Sequence, residues 1–258
     1  MNEAPPAVTA AIAALFGAIV GSFLNVCIYR LPLGTSIVWP ASACPNCRRE
    51  IEWYENIPIV SWLVLRGRCR TCHHPIGIQY PVVEAITAAM FGFAWWYYGP
   101  GVLLISRLLF GCALIVLFAI DLEHHLLPNV ITLPGIVVGF AFSFFTEPGW
   151  IDSLSGIVVG GGTLLLMFYL YLLVRKREGL GMGDPKMLAM MGAFLGWKMT
   201  IVALMFASFS GSLVGLVMMA MRRGSMESML PFGCFLAVGA AFAATIGPPM
   251  LQWYLRLF

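Results

Sequence analysis

The sequence predicts an all-α polytopic integral membrane protein of about eight transmembrane helices, with a small cytoplasmic four-cysteine domain between helices 1 and 2. Three observations lead there. Of 258 residues, 60% are hydrophobic and only 10% charged, against about 25% charged in soluble domains. Such a chain cannot cover its surface with polar groups in water. Apolar stretches near the roughly 20 residues needed to cross a bilayer recur along its length. The one long polar stretch, 30–80, carries two C-x-x-C pairs. The expected organisation is an N-terminal transmembrane helix over 1–29, a cysteine loop domain over 30–80 and a transmembrane core over 81–258.

The apolar stretches place spans at 7–29, 81–98, 101–120, 130–146, 152–174, 185–198, 200–221 and 232–255. The sixth is short and runs into the seventh through Gly196-Trp197-Lys198. A tight hairpin is expected there, because one helix over 185–221 would far exceed the bilayer. The opening Met1-Asn2-Glu3 lacks a basic region, so the first apolar stretch reads as a retained helix and not a cleaved signal.

Basic residues test the threading. With the N-terminus outside, the cytoplasmic segments hold Arg30, Arg48, Arg49, Arg66, Arg68, Arg70, Arg175, Lys176, Arg177, Lys186, Arg222 and Arg223. These are 12 of the 15 basic residues, a strong positive-inside bias. Only Lys198 and Arg256 fall outside, and Arg107 lies within a span. The net charge of +3 says little by itself.

Small residues mark helix packing. Gly17, Gly21, Asn25 and Tyr29 line one face of the first helix. Gly192/Gly196 and Gly211/Gly215 are small-xxx-small pairs that let helices approach closely in lipid. No internal repeat is evident, so a transporter built on inverted repeats gains no support.

The polar stretch contains Cys44-Pro45-Asn46-Cys47 and Cys69-Arg70-Thr71-Cys72, separated by 21 residues. Each pair can supply two thiolates from one knuckle, and two knuckles complete the tetrahedron of a structural zinc site. A reducing cytoplasmic location disfavours disulfides. Four thiolates leave no open coordination position, so such a zinc would be structural and not hydrolytic. His73 and His74 follow directly, but four cysteines suffice. Cys27, Cys112 and Cys234 stand alone in spans and read as small packing residues.

Ionisable residues at membrane depth are costly and therefore functional candidates. Here they are Glu84, Arg107, Asp121 and Asp184. Asp121 ends the apolar run Ile115–Ile120. Asp184 closes Gly179-Leu180-Gly181-Met182-Gly183-Asp184 and precedes Pro185. Two spans separate the aspartates, so both are expected at the cytoplasmic side. Two close carboxylates share a proton, which suits peptide hydrolysis: one takes a proton from water and the other polarises the scissile carbonyl. Gly181 and Gly183 leave bare backbone that can admit an extended substrate beside Asp184. Structural readings compete. Asp184 before Pro185 also reads as a helix N-cap, and Asp121 as an interfacial helix end. An ion- or proton-coupled transporter using these carboxylates, or a scaffold whose cysteine loop binds a partner, remains open at this level.

The same residues carry a family resemblance. Gly181-Met182-Gly183-Asp184 matches the G-x-G-D signature of intramembrane aspartic peptidases. Residues 183–189 and 192–197, the run from Gly21 to Pro32, the paired C-x-x-C loop, Asp121-Leu122-Glu123-His124 with Leu127-Pro128-Asn129, and Pro231-Phe232-Gly233 resemble the prepilin peptidases in particular. The resemblance runs in order along nearly the whole chain. It implies a multi-pass bacterial inner-membrane endopeptidase that cuts the basic leaders of type IV prepilins and type II secretion pseudopilins after glycine. Asp121 and Asp184 would be catalytic. It also implies methylation of the new N-terminus with S-adenosylmethionine, although no nucleotide fingerprint is visible and no donor-binding residue can be named. Glu84, Glu123 and Lys186 are possible substrate contacts. The expected partners are protein substrates and the bilayer, with no nucleic acid.

Overall fold

The computed structural model describes residues 6–176, 181–221 and 230–256. The N-terminal Met1-Asn2-Glu3, the basic residues Arg177, Arg222 and Arg223, and Gly179-Leu180 lie outside them. The described elements are helical: α1 (Pro6–Arg30), α2 (Val60–Val64), α3 (Gln79–Tyr98), α4 (Val102–His124), α5 (Asn129–Phe142), α6 (Trp150–Arg175), α7 (Gly183–Ala220), α8 (Phe232–Thr245) and α9 (Gly247–Leu255). A short 3₁₀ turn at Trp53–Asn56 and two isolated β-bridges lie in the cysteine loop.

The eight expected spans are more than these helices support. Among the described residues four helices, α1, α4, α6 and α7, are long and apolar enough to cross a membrane, or five if the α8–α9 pair, bent by 64°, is one broken span. The shortfalls have physical causes. α3 is 20 residues long but closes on Trp95, Trp96, Tyr97 and Tyr98, aromatic residues suited to an interface more than to hydrocarbon. α5 has 14 residues, about 21 Å of helix, against a hydrocarbon core of roughly 30 Å.

The third shortfall lies in α7, a run of 38 residues broken at Gly196, whose φ of 74° and ψ of 169° are not helical. Positive φ of this kind is open to glycine at little cost. The neighbours of α6 reveal the path. A Cβ on Gly160 would lie 2.7 Å from the Leu188 carbonyl oxygen and 3.0 Å from Thr200 Cγ2. A straight helix would hold residues 188 and 200 about 18 Å apart. The chain therefore doubles back at Gly196, within the turn the sequence suggests. The arm before the break, residues 183–195, is only about 20 Å long. Ser153 donates its hydroxyl to the Ala193 carbonyl at 2.7 Å, supplying a partner where broken helix geometry would leave backbone short of one in lipid.

The chain divides inside α4 into two compact units, Met1–Val116 and Leu117–Phe258. In the first, α1 and α3 pack antiparallel. Gly17 faces Phe91 and Thr87, Gly21 faces Glu84 and Thr87, and Asn25 donates its side-chain amide to the Tyr80 carbonyl at 3.0 Å. Three members of the expected α1 face thus meet α3, whereas Tyr29 is exposed.

In the second unit α7 is central and packs against α5, α6 and α8. Its first arm is buried all round: Met187, Leu188, Met190, Met191 and Ala193 have no exposed surface. Lipid tails are as apolar as these side chains, so close contact must hold the helices together. Gly156 of α6 and Gly192 of α7 meet backbone to backbone. Replacing Gly192 with leucine should lower stability by about 1–3 kcal/mol or more. Gly162, with open space around it, should accept alanine without loss. Thermal unfolding of the two variants in detergent checks the contrast; equal melting temperatures would refute it.

Candidate active site and cysteine cluster

Both aspartates belong to the second unit. Asp121 lies in the last turn of α4. Its carbonyl accepts the His125 N–H at 2.9 Å, and His125 takes a left-handed φ of 51° that ends the helix. Asp184 lies in the first turn of α7, whose N-cap is Met182. The helix starts two residues earlier than the N-cap reading of Asp184 requires. That position near the helix N-terminus still favours negative charge. The Asp184 N–H donates to the Gly181 carbonyl at 3.2 Å.

Side-chain packing joins the two helix ends. Leu127, in the link between α4 and α5, touches both glycine neighbourhoods. A Cβ on Gly183 would stand 2.8 Å from Leu127 Cβ, and one on Gly233 would stand 3.0 Å from Leu127 Cδ2. Gly233 also abuts Asp121: its Cβ would lie 2.8 Å from Oδ2. The next residue, Cys234, donates its backbone N–H to Asp121 Oδ2 at 2.9 Å. Its thiol donates to the Phe118 carbonyl at 3.3 Å. The start of α8 thus clamps the last turn of α4. The two carboxylates are close enough for the charge of Asp121 to act on Asp184. They are 5% and 7% exposed, and neither meets a salt-bridge cation among the described residues.

The other sequence candidates fall at varied distances from this pair. A Cβ on Gly181 would lie 3.5 Å from Asp184 Oδ2. Lys186 donates to Asn129 Oδ1 at 2.9 Å, tying α7 to α5. Glu123 is exposed beside His124. Glu84 lies in the first unit, buried, and accepts the Ile59 N–H at 2.7 Å. Arg107 lies in that unit too, near Tyr98. Sequence reasoning missed Leu127 and Cys234. The signal was faint: Cys234 follows Pro231-Phe232-Gly233 at a helix start, where backbone N–H groups are free to bind a carboxylate.

The cysteine cluster forms in the first unit. The sulfurs of Cys44, Cys47, Cys69 and Cys72 all lie within 4.8 Å of one another, with Cys44 and Cys72 at 3.7 Å. A tetrahedron with metal–sulfur bonds of about 2.3 Å has edges of about 3.8 Å, so the geometry fits zinc. The two knuckles repeat one design. Cys44 N–H donates to Arg49 and Cys69 N–H to His74, each at 2.9 Å. Arg48 and His73 both turn the chain with φ of 56°. Bridges Ala43–Glu50 and Arg68–Pro75 close the loops. The His74 backbone N–H, then the Asn46 side chain, hold the Cys72 thiol down at about 6, which favours the thiolate a metal requires.

With this geometry in place, the comparisons with known proteins are decisive. Residues 15–98 match the Bacterial Peptidase A24 N-terminal domain, and residues 108–216 match the Type IV leader peptidase family. The chain belongs to the type IV leader peptidase family. Its curated relatives include the prepilin leader peptidase/N-methyltransferase of Myxococcus xanthus, 43% identical over 212 residues, which are 80% of this chain and 62% of that protein. The Pseudomonas aeruginosa protein of the same name is 36% identical over 94% of this chain and 92% of its own length. That of Pectobacterium carotovorum subsp. carotovorum is 37% identical over 88% and 90%. No solved structure matches the chain.

Purified, reduced protein should carry about one zinc per chain by elemental analysis. Cys69→Ser should release it and expose residues 31–78 to protease. Metal-free wild-type protein that resists protease equally well would refute a structural zinc.

Proposed function

We propose that the chain is a membrane-embedded aspartic endopeptidase that removes the basic leader of type IV prepilins, and that it methylates the N-terminus so exposed. The observation that carries the peptidase reading is the convergence of Asp121 and Asp184 from separate helix ends onto one buried, electrostatically linked pair. Two such carboxylates cannot both ionise easily, and a shared proton gives one the role of base and the other that of acid. The base takes a proton from water as that water attacks the scissile carbonyl. The acid donates its proton to the carbonyl oxygen; as the C–N bond breaks, the base passes the water-derived proton to the leaving amine and the acid regains its own from the diol intermediate.

Local structure supports the assignment. Gly181 carries no side chain beside Asp184, so an extended substrate backbone can approach there, and Gly183 lets Leu127 pack against the same turn. Cys234 N–H fixes one oxygen of Asp121, which leaves the other to face the water. Exposed Glu123 can meet a basic leader at the rim. Lys186, engaged with Asn129, acts as a brace for the start of α7.

The bilayer setting fits a substrate with an apolar helix behind its cleavage site. In this reading the protein is a multi-pass inner-membrane enzyme with a periplasmic N-terminus. The cysteine loop and the dyad face the cytoplasm, where basic leaders remain. Pseudopilins of type II secretion share that chemistry and are substrates as well. The methyl donor is S-adenosylmethionine, which supplies an electrophilic methyl group; nucleic acid plays no part. Carboxylates at helix ends fit an ion-coupled transporter poorly, since its ligands belong near the bilayer midplane.

Asp121→Ala and Asp184→Ala should each cut prepilin cleavage in detergent by at least roughly a hundredfold while zinc content stays at the wild-type level. Full cleavage by either variant removes that residue from the dyad. Gly233→Ala should also impair cleavage, because the added methyl displaces the Asp121 carboxylate. Its effect should fall on kcat more than on KM; unchanged kcat would show that the position of Asp121 does not depend on Gly233.

A further inference from the structure

The first unit contains a cavity that the peptidase reading does not use. It lies among α1, the start of α3 and the cysteine loop, with a volume of about 310 Å³. Ligand pockets run from roughly 300 to 1,000 Å³. Six lining residues define its chemistry: Ser22, Asn25 and Tyr29 from α1, Trp62 from α2, and Tyr80 and Glu84 from α3.

Three glutamates line this cavity, Glu50, Glu55 and Glu84, and the fold treats the last two differently. Glu55 is neutralised by Arg49 at 2.9 Å and Arg70 at 3.4 Å. Glu84 is only 7% exposed. Its carboxylate accepts the Ile59 N–H and interacts with the Ser22 hydroxyl, but no salt-bridge cation meets it among the described residues. A buried carboxylate without a cation is costly, and a cationic ligand relieves that cost. The same cavity is lined by three aromatic residues, Tyr29, Trp62 and Tyr80, a residue type that binds flat heterocycles and cations, and by Arg30, Arg49 and Arg70, which suit a carboxylate. Asn25, 5% exposed, adds an amide anchored to the Tyr80 carbonyl.

The second activity needs a ligand of this description. A sulfonium methyl donor of the S-adenosylmethionine type combines a sulfonium, an α-ammonium and an adenine ring in one molecule. We infer that this cavity is the methyl-donor site, with Glu84 facing the donor's positive charge and Tyr29, Trp62 and Tyr80 enclosing its adenine. The inference rests on the methyl-transfer reading given above. In the transfer itself the lone pair of the neutral N-terminal amine attacks the methyl carbon. The sulfur–methyl bond breaks as the nitrogen–methyl bond forms. The donor leaves as a neutral thioether, and the methylated ammonium returns a proton to water.

Direct binding tests the site without prepilin. Tritiated S-adenosylmethionine is equilibrated with the purified full-length protein, and binding is compared with that of Glu84→Gln. Glutamine keeps the shape and can still accept the Ile59 N–H, so zinc content should not change. The expected result is at least a tenfold loss of affinity. Glu84→Gln that binds as tightly as wild type overturns the role of Glu84. Photo-crosslinking of the same ligand to wild-type protein, followed by peptide mapping, serves even if that variant fails to fold. Label should fall within residues 22–84. Label confined to 117–258 overturns the placement while leaving methyl transfer intact. Wild-type protein that binds no donor at all overturns the methyl-transfer reading and this inference with it.

Discussion

Hydrocarbon offers no hydrogen-bonding partner, and the rest of this structure depends on that constraint. At two described places in the second unit where backbone leaves helical geometry, a side chain takes up its polar groups. At Gly196 the chain reverses, and Ser153 supports the Ala193 carbonyl just before the break. At the start of α8 the Cys234 N–H, shared with the Pro231 carbonyl at 3.2 Å, donates to Asp121 at 2.9 Å. The candidate active site is thus made from helix ends, the one part of a helix with backbone groups to spare.

The same constraint explains the glycines. Helices that gain little from leaving lipid must touch closely to hold together. Gly156 and Gly192 bring α6 and α7 into backbone contact, and Gly17 and Gly21 do so for α1 and α3. Near the dyad the small residues have a different task. Gly183 and Gly233 lie on two sides of Leu127, and any side chain there would push apart the elements that carry the aspartates. Packing and catalysis therefore draw on one residue type for separate physical reasons.

Much of this was legible in the sequence. Polarity revealed the membrane and the long helices. C-x-x-C spacing revealed a cluster whose four sulfurs do converge. Costly charges singled out Asp121 and Asp184, which the fold brings together. Of the eight expected spans, the described helices support four, or five with the bent α8–α9 pair, by length and apolarity. The hairpin expected at Gly196 does form, but its first arm, like α5, is short for a bilayer crossing. Leu127 and Cys234 were invisible as site residues because their roles are backbone donation and van der Waals spacing, which leave no mark in residue chemistry.

How each buried carboxylate is neutralised separates structure from function. Glu55 is held by two arginines of its own loop, which is how a protein retires a charge into its architecture. Asp121 is met by groups at the start of α8, the Cys234 N–H foremost, and by a second carboxylate, with no salt-bridge cation among the described residues, so its charge stays available for a shared proton. Glu84 has a backbone N–H and a hydroxyl, shares its cavity with three aromatic residues, and forms no salt bridge among the described residues. A charge that the fold buries without a counter-ion has to be answered by a proton or by a ligand. In this chain the first answer fits peptide cleavage and the second fits a cationic methyl donor.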